Sequence, residues 1–126
     1  MSYEQEGIKF FVTSADLDDD QHKGVATGAD GRVALAAITS GLDFVGVISK
    51  VESTGANGRV SVQTRGRVKV VTGGAVNEGD PLTCVAGVFE VADNTDKVYA
   101  KSNAAADSGD IIEVELLMPA INFANL

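Results

Sequence analysis

Two stretches of the chain alternate between apolar and polar residues as a β-strand does. In Val60-Ser-Val62-Gln-Thr-Arg-Gly-Arg-Val68-Lys-Val70-Val71 the two kinds of side chain fall on opposite faces. Val85-Ala-Gly-Val88-Phe-Glu-Val91 alternates less strictly. A period of two is what a sheet with one wet and one dry face requires. Between them lies Thr72-Gly-Gly-Ala-Val-Asn-Glu-Gly-Asp-Pro-Leu-Thr83. Its Gly-Gly and Gly-Asp-Pro steps supply the φ freedom and the fixed φ that tight turns need.

Other elements follow from the same reading. Ile8-Lys-Phe10-Phe11-Val12 is either a first strand or an arm that pairs with another chain. An acidic loop, Asp16-Leu-Asp-Asp-Asp20, comes next, then a turn and strand in Gly28-Ala-Asp-Gly-Arg-Val33-Ala-Leu35. Phe44-Val-Gly-Val-Ile48 is continuously apolar and predicts a buried strand. Asn57-Gly58 marks a turn, because Asn-Gly readily takes positive φ. Lys97-Val-Tyr-Ala100 predicts a short strand, Asn103-Ala-Ala-Ala-Asp107 one helical turn, and Ile111-Ile-Glu-Val-Glu-Leu116-Leu117 the last clear strand. The tail, Pro119-Ala-Ile-Asn-Phe123-Ala-Asn-Leu126, is mildly apolar and has no evident place in the pattern.

A weak internal echo runs through these elements. Gly31-Arg-Val-Ala-Leu-Ala36 resembles Gly87-Val-Phe-Glu-Val-Ala92, Val45-Gly-Val47 resembles Val98-Tyr-Ala100, and Gly58-Arg-Val-Ser-Val62 resembles Asp110-Ile-Ile-Glu-Val114. The echo is too imperfect for a solenoid but suits a barrel of two similar halves, or a chance likeness of short turn units. The expected fold is all-β: a small β-barrel or β-sandwich of short antiparallel strands with an N-terminal extended arm. Its divisions are an arm and acidic loop at 1–23, a β-barrel domain at 24–118 and a tail at 119–126.

Composition narrows the chemistry. The chain has 126 residues, enough for one domain, and 44% are hydrophobic. Aromatics are only 6% and Trp is absent, so Val, Ile, Leu and Ala must fill the core. A net charge of −8 argues against general nucleic-acid binding, which needs Lys and Arg to displace counterions. No apolar run is long enough for a membrane helix, and the polar, acidic start does not fit a secretory signal. A soluble protein made in a cytoplasm is expected, with no nucleic-acid or membrane partner. The single Cys84 excludes an internal disulfide and, in its apolar setting, reads as a core residue.

Catalytic and metal patterns are weak. The one histidine, His22, stands in the acidic loop without a Gly-x-Ser-x-Gly elbow elsewhere, and no P-loop is present. Asp16, Asp18 and Asp20 begin like a calcium loop, but Gln21 and Thr27 occupy the positions of its turn glycine and bidentate glutamate. Glu113 and Glu115 share one face of the last strand and read as its wet side rather than as a glycosidase pair. No catalytic, cofactor or metal residues are expected.

Charge distribution is more informative. Between residues 50 and 69 stand Lys50, Arg59, Arg65, Arg67 and Lys69 against Glu52 alone. On one extended segment, Arg65, Arg67 and Lys69 would point to the same side. Such a stripe is either balanced by neighbours such as Glu113 and Glu115 or used as a contact. Copies meeting basic stripe to acidic edge would form a heterologous interface that closes a ring.

Three segments resemble the small single-domain β-barrel capsid decoration (cement) proteins of tailed bacteriophages. They are Phe44-Val-Gly-Val-Ile48, Val68-Lys-Val-Val-Thr-Gly-Gly-Ala-Val-Asn-Glu-Gly-Asp-Pro-Leu-Thr83 and Ala104-Ala-Ala-Asp-Ser-Gly-Asp-Ile-Ile-Glu-Val-Glu-Leu-Leu117. The resemblance covers roughly Gly24 to Leu117. It implies a homotrimer on the outer surface of an expanded head, bridging and stabilising the major capsid protein, with no catalysis and no cofactor. The candidate capsid or intersubunit contacts are Tyr3, Ile8, Phe10 and Phe11 in the arm, Arg65, Arg67 and Lys69 in the stripe, and Ile121 and Phe123 in the tail. The competing function is a β-barrel binding module for a carbohydrate or cell-surface ligand. Its weakness is the shortage of aromatics for sugar stacking, since only Tyr3 and Tyr99 are tyrosines.

Overall fold

The computed structural model describes residues 7–17, 19–37, 40, 43–53, 55, 57–93 and 96–122. Among the described residues there are ten strands: β1 (Ile8–Val12), β2 (Gly24–Thr27), β3 (Val33–Leu35), β4 (Phe44–Ser53), β5 (Arg59–Gln63), β6 (Arg67–Val71), β7 (Pro81–Val85), β8 (Val88–Val91), β9 (Lys97–Ser102) and β10 (Ile111–Asn122). They form two antiparallel sheets of five strands, ordered β1-β5-β4-β2-β3 and β6-β10-β9-β7-β8. Among the described residues there is no α-helix. The all-β expectation holds.

The second sheet repeats the first with every strand advanced by five. The registers agree as well. Val25 faces Leu35 and Gly46 in the first sheet, where Leu82 faces Val91 and Ala100 in the second. Each sheet also curls until its edge strands meet at one end. A parallel bridge joins Thr13, just past β1, to Val33, and another joins Thr72, just past β6, to Phe89. The echo in the sequence is therefore structural, with one adjustment: register pairs Val45 with Tyr99 rather than with Val98.

Two apolar clusters sit inside this arrangement. Leu17, Val25, Val33, Ile48, Val60 and Val62 fill the first sheet. A larger cluster built on Val70, Leu82, Cys84, Phe89 and Val114 fills the second and takes in Ala36, Phe44 and Val47 from the first. The link is geometric. Phe44 stacks on Tyr99 at 4.4 Å between ring centroids and meets Phe89 edge-on at 6.3 Å. The Tyr99 hydroxyl donates to the carbonyl of Ala37 at 2.9 Å. Backbone seals the same junction: the Gly24 N–H donates to Gly87 O at 2.8 Å, and the Gly87 N–H donates to Ala36 O at 2.9 Å. A Cβ on Gly24 would lie 2.8 Å from the Cys84 sulfur, so only glycine lets the sheets approach this closely. A unit of ~60 residues is marginal alone, and sharing a core offsets that weakness.

Several expectations are corrected. Residues 60–71 are not one strand. The chain turns at Thr64, Arg65 and Gly66, and β5 and β6 belong to different sheets. Gly66 takes φ +82° there, which breaks the alternation. Likewise 85–91 is a hairpin, turning at Ala86 and Gly87 with φ of 49° and 84°. Two consecutive positive values are the signature of a type I′ turn. Residues 103–107 form no helical turn. Val76 and Ala106 instead exchange backbone hydrogen bonds, each N–H to the other's carbonyl at 2.9 Å, tying the β6–β7 loop to the β9–β10 loop. The last strand also runs further than its alternation suggested, through Pro119 to Asn122.

Candidate interaction surface

Residues 8–12 are the edge strand β1, paired among the described residues with β5 inside the same sheet. Of the two readings of this segment, the strand within the domain is the one observed. Thr64 pins its start, donating both its N–H (2.6 Å) and its hydroxyl (2.9 Å) to Gly7 O. Phe11 turns inward and packs on the first core. Ile8, Phe10 and Val12 share the outer face, opposite Gln63, Ser61 and Arg59. Phe10 is 58% exposed and Val12 40%. Arg59 on the same face is exposed, and so is Lys9 on the opposite face, which it shares with Phe11.

In the second sheet the same outer face has different chemistry. Arg67, Lys69 and Val71 stand on β6 where Ile8, Phe10 and Val12 stand on β1, and β10 sets Glu115, Glu113 and Ile111 opposite them. The Arg67 guanidinium lies 3.8 Å from Glu115 and 4.0 Å from Glu113. Side chains this open to water gain only about 0–1 kcal/mol from such pairs. Their role is to make the ladder neutral and wet.

This corrects the expectation of one basic stripe. Arg67 and Lys69 share a face, but Arg65 sits in the turn before β6, with Gln63 Nε2 donating to its carbonyl and to that of Arg67 at 3.2 Å each. Its side chain lies over Gly7, where an added Cβ would stand 3.2 Å from the Arg65 Cγ. Ile121 lies on β10 opposite Val98 and is half-buried. Tyr3 and Phe123 lie outside the described residues. Alternation gave no sign of three further exposed apolar side chains, Val85, Val91 and Ile111.

A cleft of about 270 Å³ opens between the sheets, lined by Val47, Ile48, Gln63, Val68 and the polar groups of His22, Arg67, Lys69 and Glu113. That is smaller than the usual small-molecule pocket, roughly 300–1,000 Å³. The acidic loop is engaged internally, with the Lys23 ammonium 2.7 Å from Asp20. Asp18 lies outside the described residues. Among the described residues no group of three His, Cys, Asp or Glu side chains is placed to hold a metal ion. Tyr99 is fully buried and offers no face to a sugar. Burial also pushes the Cys84 thiol well above its ordinary pKa, so it is a poor nucleophile.

No family model matches the chain, and no curated protein matches it. Among solved structures, the fold is similar to the N base of the head fiber protein gp8.5 of bacteriophage phi29. The TM-score is 0.68 at 18% identity, covering 91% of this chain and 97% of that one. At this identity the likeness establishes a shared fold. It runs nearly end to end in both chains, so it takes in both five-stranded sheets.

Proposed function

We propose that this chain is a structural, non-catalytic component of a bacteriophage head. In this reading it is a decoration protein. It binds the outer surface of the expanded shell as a homotrimer and stabilises the shell by bridging major capsid proteins. The observation that carries the proposal is the end-to-end likeness to the base of a phage head fiber. Three segments that resemble cement proteins point the same way. The molecule also suits the task, since its exposed apolar groups lie on strands rather than in a deep pocket.

The test is co-sedimentation of the purified protein with expanded, DNA-free heads of its own phage, with unexpanded proheads as control. Saturable binding to expanded heads and a higher temperature of shell disruption are expected. Absence of binding to both forms overturns the reading.

A further inference from the structure

We propose that the cleft between the two sheets receives an acidic side chain, aspartate or glutamate, carried by the shell protein. The inference deepens the head reading above and rests on it.

His22 stands where the other half of the molecule has a glycine. Three backbone hydrogen bonds fix the turn before β2, and the turn before β7 repeats each of them. The His22 N–H donates to Ile48 O as the Gly79 N–H donates to Ser102 O, both at 2.8 Å. The Lys23 N–H donates to Asp20 O as the Asp80 N–H donates to Asn77 O, both at 3.1 Å. The Ile48 N–H donates to Lys23 O at 3.0 Å, and the Ser102 N–H to Asp80 O at 2.9 Å. At the shared position φ is 70° in His22 and 89° in Gly79. Glycine takes that region freely, whereas a Cβ is crowded there. The second half makes the same turn without a side chain, so the turn does not require the imidazole. A residue held in an unfavourable region by its surroundings points to a use beyond the backbone.

The cleft supplies that use. Its volume is about 270 Å³, and His22 lines it together with Arg67 and Lys69 from β6. Among the described residues, neither the His22 side chain nor the Lys69 ammonium makes a hydrogen bond or an ion pair. The Arg67 guanidinium stands 4.0 Å from Glu113 and 3.8 Å from Glu115, too far for hydrogen bonds. Three sets of donors are therefore left unspent around one opening. The buried side chains of Val47 and Val68 line it as well.

Charge and size select the occupant. Among the described lining residues Glu113 is the single carboxylate, set against Arg67, Lys69 and the imidazole. The local charge is thus opposite in sign to the net −8 of the whole protein, which draws an anion to this place. The volume falls below the usual small-molecule range of roughly 300–1,000 Å³ and suits one side chain. Apolar lining accepts the methylene stem of such a side chain while the donors hold its carboxylate.

The test is co-sedimentation of His22→Gly and of Lys69→Glu with expanded heads, beside thermal melts of each variant. Lys9→Glu is the control, since it makes the same charge change at a residue that does not line the cleft. Each cleft variant is expected to bind roughly tenfold more weakly than wild type. His22→Gly is expected to keep or raise Tm, because glycine relieves the positive φ. Lys9→Glu is expected to bind as wild type does. Wild-type affinity in either cleft variant overturns the proposal and leaves the head reading standing. An equal loss in Lys9→Glu also overturns it, by showing a general charge effect. So does a His22→Gly variant that melts lower, since the imidazole would then be a packing group. Wild-type protein that binds no heads fails the head reading itself, and this inference with it.

Discussion

Thr13 and Thr72 hold the same place in two copies of one motif. Each is buried just past the first strand of its sheet. The Thr13 hydroxyl donates to Gly55 O at 3.2 Å, in the β4–β5 loop. The Thr72 hydroxyl donates to Asp107 O at 2.6 Å, in the β9–β10 loop. Their backbones match as well. Thr13 N–H donates to Gly58 O and accepts from the Asn57 N–H; Thr72 N–H donates to Asp110 O and accepts from the Gly109 N–H. A single threonine thus ties first strand, third strand and the loop before the last strand in each half.

This relationship predicts opposite results for one substitution at two buried threonines. Thr72→Val removes a made hydrogen bond and is expected to cost about 1–2 kcal/mol, with Thr13→Val similar. Thr83 is equally buried, but its hydroxyl has no partner. Thr83→Val is therefore expected to stabilise by about 1 kcal/mol, since an unsatisfied polar group leaves the interior. Urea unfolding separates the two, with midpoints moving in opposite directions at constant slope. A lower midpoint for Thr83→Val would count against this account of the β7 packing.

The β7–β8 hairpin carries a local conflict. Ala86 sits at φ 49°, where an alanine Cβ crowds the backbone. Asn-Gly is the favoured pair for a type I′ turn, and Gly87 already supplies the second residue. Ala86→Asn is expected to add roughly 1 kcal/mol and to raise Tm by about 3–5 °C. Ala86 is exposed, so the change tests the turn and nothing else.

Two glycines should respond differently to alanine. A Cβ on Gly46 would lie 2.1 Å from the carbonyl oxygen of Gln63, a backbone atom on the neighbouring strand. Gly46→Ala must separate β4 from β5 and is expected to leave little folded protein in the soluble fraction. At Gly74 an added Cβ meets nothing within 4 Å, and Gly74→Ala is expected to be near neutral. Circular dichroism melts of the two variants make the comparison.

Cys84 gives the protein a pH dependence on the alkaline side. Its native thiol is held neutral because burial raises its pKa well above the ordinary value. The unfolded thiol ionises near pH 8.5. Above that point the unfolded state loses a proton that the native state keeps. Stability is therefore full below about pH 8.5 and falls by about 1.4 kcal/mol per pH unit until the native thiol titrates. A thiol reagent should label Cys84 only at the unfolding rate. Fast labelling of native protein would contradict the burial.

How much of this was legible in the sequence depends on the range of the forces involved. Alternation located Val60, Val62, Val68, Val70, Ile112 and Val114 on dry faces, and all are buried. Glycine turn chemistry located the breaks near Gly31 and Asn57-Gly58, where positive φ is observed. The echo between the halves was visible because equivalent strands need similar patterns. On the candidate surface, a period of two puts Ile8, Phe10 and Val12 on one side of β1, and only the structure shows that this side faces outward.

Sequence by itself determined the all-β class and most strands, because those follow from side-chain period and residue type. Only the tertiary structure decided the rest. It cut the apparent strand at residues 60–71 across two sheets, since a positive φ at Gly66 outweighs an unbroken pattern. Stacking on Phe44 took Tyr99 out of solvent. Most of all, it set Ile8 and Phe10 in the positions that Arg67 and Lys69 hold in the other half. Periodicity tells which residues share a face, but which faces meet is fixed by long-range pairing that no local pattern encodes.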